Sequence, residues 1–183
     1  MRREIRFSGF GGQGIILSGF IYGKAASIYG GKGATMTQSY GPEARGGACN
    51  CDVVIEDGPV SFPEVTNPEV LVIMSRDAYN TQKKHIRKGV RVLYDKDLVQ
   101  IEDTPGVEFI PIQSLKIAEG LGKKIVANIV MLGALAAGSD IVAKDAVKQA
   151  ILSTVPPATK DLNEKAFEAG YKQAVEVMGN SKR

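Results

Sequence analysis

The sequence predicts an α/β fold, and three observations predict it. A strand, a glycine-rich turn, a helix and a second strand follow one another within residues 4–38, which is how a parallel sheet opens. Val70 to Met74 is an unbroken apolar run, as a strand covered on both faces requires. From residue 114 onward the apolar period becomes helical. Together these describe a three-layer, Rossmann-like architecture. It has a mostly parallel sheet, helices on both faces and a helical C-terminal third. The length, 183 residues, is that of one domain spanning 1–183.

The elements follow in order. Residues 4–8 alternate as a strand. Residues 12–29 are helical, with Gly19, Gly23 and Ala26 forming a smooth stripe that lets a helix lie close to a sheet. Gly30-Gly31 ends that helix. Residues 33–38 read as the second strand, paired in parallel after a helical crossover. Three glycines and a proline make 39–47 a loop. Cys49, Cys51, Val53 and Ile55 alternate with Asn50, Asp52 and Val54 as a third strand. Asp57-Gly58 is a turn signal, and residues 60–62 read as a short return strand. After the 70–74 strand comes a polar helix over 76–88, then strands over 90–94 and 107–112. Pro111 marks the last of these as an edge or a strand end. Helices are expected near 114–120, 125–138, 143–153 and 160–178, with Pro156-Pro157 between the last two.

Composition narrows the function. With 44% apolar and 23% charged residues the chain has the make-up of a folded soluble protein. Its net charge of +3 is scattered, so no nucleic-acid partner is expected. The run 125–138 is shorter than the roughly 20 residues that span a bilayer. The basic start lacks the apolar stretch of a secretory signal. A cytoplasmic protein without a membrane partner is the expectation. His85, the one histidine, sits in the basic stretch 83–88, read as a solvated helix face. No zinc-protease, P-loop or nucleophile-elbow motif is present. Cys49 and Cys51 are too close for an unstrained disulfide and too few for an ordinary iron–sulfur cluster. They read as small semi-buried residues, with a redox or metal role as the alternative.

Two glycine loops remain. "GFGGQG" at Gly9 to Gly14 has the spacing of a dinucleotide-binding turn. That reading needs an acid at the end of the second strand to hold a ribose. Gln38-Ser39-Tyr40 stands there instead, and the first acid is Glu43. A tight structural turn would also use glycines. Gly12 and Gln13, however, exceed what such a turn needs and leave a bare helix N-terminus. The loops after the first and second strands should emerge on the same sheet edge. Gly9, Gly11, Gly12, Gln13 and Gly14 would then lie beside Tyr40, Gly41, Pro42, Glu43, Arg45, Gly46 and Gly47. That edge offers bare main chain, one aromatic, one acid, one guanidinium and one amide. Glu43 and Arg45 could equally be an exposed ion pair worth under about 1 kcal/mol.

The pair "GFGGQG" and "TQSYGPEARGG", with the later "KKIVANIVMLGALAA" and "LNEKAFEAGY", resembles the gamma subunit, or gamma domain, of 2-oxoacid:ferredoxin oxidoreductases. The similarity runs from about Ile5 to Tyr171, and "SYGPEARGGA" is closest to the 2-oxoglutarate branch. The resemblance implies an enzyme that converts a 2-oxoacid and coenzyme A to acyl-CoA and CO2 and reduces ferredoxin. Thiamine diphosphate and Mg2+ would lie between alpha and beta subunits. Iron–sulfur clusters would lie in beta or in a ferredoxin-like delta subunit. This chain would bind no cofactor alone and would not be the catalytic centre. The paired loops would dock on the alpha subunit beside the cofactor cleft, with Gln13, Glu43 and Arg45 fixing the register. In a narrower form, the same edge touches coenzyme A through the helix N-terminus or Arg45. Isolated from its partners, the chain is expected to form a homodimer. The Cys49-Asn50-Cys51 stretch departs from the family pattern, where small or charged residues are expected.

Overall fold

The computed structural model of the chain describes residues 1–41 and 47–180. Its elements in order are β1 (Arg2–Phe10), α1 (Ile15–Lys24), β2 (Gly33–Tyr40), β3 (Ala48–Glu56), β4 (Val70–Ile73), α2 (Arg76–Gln82), β5 (Arg91–Asp95), β6 (Glu108–Ile112), α3 (Ser114–Gly120), α4 (Ala127–Gly138), α5 (Lys144–Leu152) and α6 (Lys160–Asn180). A π-helical turn, Ala25–Tyr29, extends α1.

The six strands stand in the order β2-β3-β1-β4-β5-β6. β1, β4, β5 and β6 pair in parallel. β3 is antiparallel to both of its neighbours, so it alone runs against the other strands. The α/β reading holds, with one correction. β2 is not the parallel neighbour of β1, because β3 lies between them. Residues 41–47 join β2 to β3 over a span that suits a hairpin, whereas a parallel neighbour needs a crossover of a dozen or more residues. β2 nevertheless runs in the direction of β1, since two reversals cancel. The ends of β1 and β2 therefore share one edge of the sheet.

Side chains alternate between two cores. Ile5, Phe7, Cys51, Val53, Val70 and Val72 point into the larger one, beneath α1, α4, α5 and α6. Leu71, Ile73, Val92 and Tyr94 point to the smaller one, with Ala78 and Tyr79 of α2. Helices thus lie on both faces. Nearly every residue of α4 is buried, as its uniformly apolar sequence requires.

Three local expectations change. The helix expected from residue 12 begins at Ile15, because Gly14 caps it in the left-handed region. The polar helix stops at Gln82 and tightens to a 3-10 turn over Lys83–His85. No strand forms at 60–62. The Arg2 guanidinium holds that segment as coil by donating to the Phe62 and Glu64 carbonyls, each at 2.7 Å. Glu4 accepts from the main-chain N–H of Thr66 and Asn67 just beyond.

Candidate functional site

The parallel strands deliver the Gly11–Gly14 turn to the carboxyl edge of the sheet, and the structure places the start of β3 beside it. The Gly11 N–H donates to the Gly47 carbonyl at 3.1 Å, and the Gly41 N–H donates to the Ala48 carbonyl at 2.7 Å. Gly9, Gly11, Gly12, Gln13 and Gly14 are thereby brought together with Tyr40, Gly41 and Gly47. Pro42, Glu43, Arg45 and Gly46 lie outside the described residues.

Gly9, Gly12 and Gly14 each have a physical reason. Gly12 and Gly14 have φ of 96° and 73°, the region that side-chain-bearing residues avoid. A Cβ on Gly14 would also lie 2.5 Å from Asn128 Nδ2. That amide donates to the Gly14 carbonyl at 3.3 Å and ties the turn to the start of α4. A Cβ on Gly9 would meet Gln13 Oε1 at 2.4 Å.

Gln13 has a job inside the chain that its sequence position does not reveal. Its Oε1 accepts from the Phe10 N–H at 3.0 Å, and its Nε2 donates to the Met74 carbonyl at 2.8 Å. The amide clamps the turn to the end of β4. Both of its ends are engaged inside the chain, so it holds the shape of the edge.

Around this turn the surface is apolar. Phe10, Leu17, Tyr40 and Ile125 are all exposed, Tyr40 at 65% and Ile125 at 75%. Two clefts flank the Phe10–Gly12 turn. One, of about 580 Å3, runs between Tyr40, Leu17, Asn128, Pro156 and Leu162. The other, of about 590 Å3, lies over the ends of β4 and β5, between Gln13, Met74, Arg76, Leu98 and Leu115. Ile125 and Phe10 border both. Sequence reasoning missed Ile125, assigning it to the helix expected near 125–138. The helix begins two residues later, at Ala127. The signal was the preceding Lys123-Lys124, since a basic pair marks a segment still in solvent.

The dinucleotide alternative weakens further on geometry. Its ribose-binding acid belongs on the strand beside β1. The parallel neighbour here is β4, which ends at Ile73 and leads to Ser75. The Ser75 hydroxyl accepts from the Ala78 N–H and caps α2.

Cys49 and Cys51 are buried free thiols on one face of β3. Burial pushes both upward in pKa, Cys51 to about 12. The Cys51 sulfur fills the space that a side chain on Gly19 would need. Two buried, protonated thiols do not suit an iron–sulfur cluster, whose ligands are four thiolates. Among the described residues no group of three or more His, Cys, Asp or Glu is placed to hold a metal ion. No described helix is long and apolar enough to cross a membrane. His85 is half-buried, not solvated as expected. Its Nε2 accepts from Arg6 Nη1 at 3.1 Å.

Comparison with known proteins gives a consistent result. A model of the family described as "Pyruvate ferredoxin/flavodoxin oxidoreductase" matches residues 4–173. The chain is 51% identical over 181 residues to a protein of Methanocaldococcus jannaschii named 2-oxoglutarate synthase subunit KorC, covering 97% of this chain and 96% of that one. It superposes with a TM-score of 0.87 on the keto/oxoacid ferredoxin oxidoreductase gamma subunit of Geobacter sulfurreducens. That protein is 42% identical, with 97% and 98% of the two chains covered. A further match, with a TM-score of 0.83 and 25% identity, is 2-oxoglutarate:ferredoxin oxidoreductase from Magnetococcus marinus with 2-oxoglutarate, coenzyme A and succinyl-CoA bound. It covers 96% of this chain but only 31% of that one.

Proposed function

Because the chain belongs to the pyruvate ferredoxin/flavodoxin oxidoreductase family, we propose that it is the gamma subunit of a 2-oxoglutarate:ferredoxin oxidoreductase. The complex converts 2-oxoglutarate and coenzyme A to succinyl-CoA and CO2 and reduces ferredoxin. Thiamine diphosphate, Mg2+ and the iron–sulfur clusters belong to its alpha, beta and ferredoxin-like partners. This chain's contribution is a shaped surface at the carboxyl edge, which docks beside the partners' cofactor cleft.

The observation that carries the docking role is the exposed apolar edge built on the two glycine loops. Phe10, Tyr40 and Ile125 stand out from it, and two clefts lie beside them. Such aromatic and aliphatic anchors, with pockets to receive the opposing side chains, characterise the centre of a protein–protein interface. The glycines let a partner approach the main chain closely. Gln13 keeps the turn in one shape, and Glu43 and Arg45 supply the polar contacts of the rim. The Magnetococcus protein supports the same role, since a domain of this kind forms about a third of a longer chain there.

Coexpression with the alpha and beta chains tests this. Ile125→Asp places a charge at the most exposed apolar residue of the edge, and Arg45→Ala removes the guanidinium of the second loop. Ile125→Asp is expected to reduce copurification at least tenfold and to lower 2-oxoglutarate- and coenzyme A-dependent ferredoxin reduction in step. Arg45→Ala is expected to weaken both less. Full assembly and full activity in Ile125→Asp would refute docking through this edge.

A further inference from the structure

The other long margin of the sheet is open in a different way. β2 is an edge strand and bonds through its main chain only to β3 among the described residues. Its sequence, Gly-Ala-Thr-Met-Thr-Gln-Ser-Tyr, contains no charge and no proline. Natural edge strands usually carry one or the other, because an unguarded row of N–H and C=O groups templates pairing with another strand. The opposite edge, β6, is guarded by Pro111, by the Glu108–Arg91 ion pair and by α6 packed along it.

Apolar surface lies beside the unguarded edge. Phe20 is 48% exposed and Ile28 69%. With Gly23, Ala34 and Met36 they line a groove of about 390 Å3. The exposure of Ile28 has a backbone cause. In a continuous α-helix, Ile28 would follow the buried Ile21 and Ala25 at i, i+4 and i+7. The π-helical turn Ala25–Tyr29 has more residues per turn, which rotates Ile28 off that stripe. Such turns occur preferentially at functional positions.

We propose that this margin is a self-association surface. Two copies pair their β2 strands antiparallel about a two-fold axis, and Phe20 and Ile28 of each copy pack against the other. Charge favours a second copy as the occupant. With the axis through the pair formed by Met36 and its own copy, neutral residues face neutral residues from Gly33 to Ser39, and facing side chains share one side of the sheet. Lys32 of one copy falls opposite Tyr40 of the other, and Lys24, which also lines the groove, donates to the Ser153 carbonyl and the Thr154 hydroxyl of its own chain, so no like charges face each other along the strand. Symmetry favours it too. One open edge and one guarded edge allow an isologous pair that closes, and no filament. The inference is independent of the role assigned to the carboxyl edge.

Sedimentation velocity of the full chain from roughly 1 to 100 μM, a range that brackets a weak dimer, gives the first readout. The mass is expected to rise to twice the 19.5 kDa of one chain. The double variant Phe20→Glu/Ile28→Glu is expected to stay monomeric throughout, and Ile125→Asp to dimerise as the wild type does. Amide hydrogen exchange needs no substitution, and residues 33–40 should become protected as wild-type concentration rises. A wild type that stays monomeric overturns the proposal. So does a dimer lost in Ile125→Asp but kept in the double variant. Protection of 33–40 that appears only when the alpha and beta chains are added assigns the edge to them and also overturns it.

Discussion

Glycine serves two opposite ends in this molecule, and the contrast separates what holds the fold from what faces a partner. Between α4 and α6 the backbones nearly touch. A Cβ on Gly133 would lie 2.0 Å from the Phe167 carbonyl oxygen, and one on Gly170 would lie 1.9 Å from that of Val130. There glycine is used because other main chain occupies the place of a side chain. At Gly12 nothing lies within 4 Å of the position a Cβ would take, and φ is 96°. There glycine is used for its backbone angle, and the space in front of it is left open. The seam is filled by the chain itself. The turn is available to something else.

The sharpest way to break this contrast is to add the same methyl group at both places. Gly170→Ala must push α4 and α6 apart, because a carbonyl oxygen is no flexible side-chain end. Overpacking of this kind costs about 3 kcal/mol, and the midpoint of urea unfolding should fall accordingly. Gly12→Ala meets no atom and pays only for its backbone angle, about 1 kcal/mol. Its urea midpoint should move about a third as far. If the two variants lose equal stability, the turn is as crowded as the seam and the distinction fails. If Gly12→Ala also loses its partners while remaining folded, the distinction is sharpened into one of role.

Most of the elements were legible in the sequence because their signals are local. The unbroken apolar run gave β4, the helical period gave α3 to α6, and Gly30-Gly31 marked the end of the first helix. Strand order was not legible. Residues 33–38 read as a parallel neighbour of β1 and prove to be the outer arm of a β2–β3 pair, because a local strand signal carries no information about which strand lies beside it. At the candidate site, the adjacency of the two loops follows from strand direction alone and survives the wrong order, since β2 still runs with β1. Side-chain commitments were not legible. Gln13 looks free in a glycine-rich turn, yet its amide is engaged at both ends by Phe10 and Met74, the latter sixty-one positions away. Ile125 looks like the start of the helix because the apolar run 125–138 is continuous, and the basic pair before it signals solvent without fixing where the first helical turn closes. The polarity of the stretch around His85 suggested solvent. Its neighbour Arg6 comes from β1, seventy-nine positions away, which no local pattern reveals.

His85 supplies the smallest predicted effect, at a place where charge and not space is crowded. Arg6 forks onto Asp52 with two bonds of 2.6 Å and donates with its remaining nitrogen to His85 Nε2. Nε2 can accept only in the neutral ring, so a proton there would set a second cation against the guanidinium. Burial, then the charges of Arg6, Lys84 and Arg87, hold the His85 pKa below its ordinary 6.5, with Asp52 acting in the opposite sense. In the unfolded chain the ring takes up its proton near that ordinary value, and in the folded chain only at lower pH. Over the interval between them the unfolded state binds more protons, so stability falls as pH falls. The contribution is fully present above about 6.5 and is lost as pH drops through the folded-state value. Thermal midpoints of wild type and His85→Gln, compared from pH 7.5 down to pH 5, isolate it. Glutamine retains an acceptor for Arg6 but cannot titrate. The wild type should therefore lose more of its midpoint over that range than the variant does. Parallel curves would mean that the ring keeps its proton equilibrium on folding and is not held against Arg6. A wild type that gained on the variant at low pH would mean that Asp52, not Arg6, sets its charge.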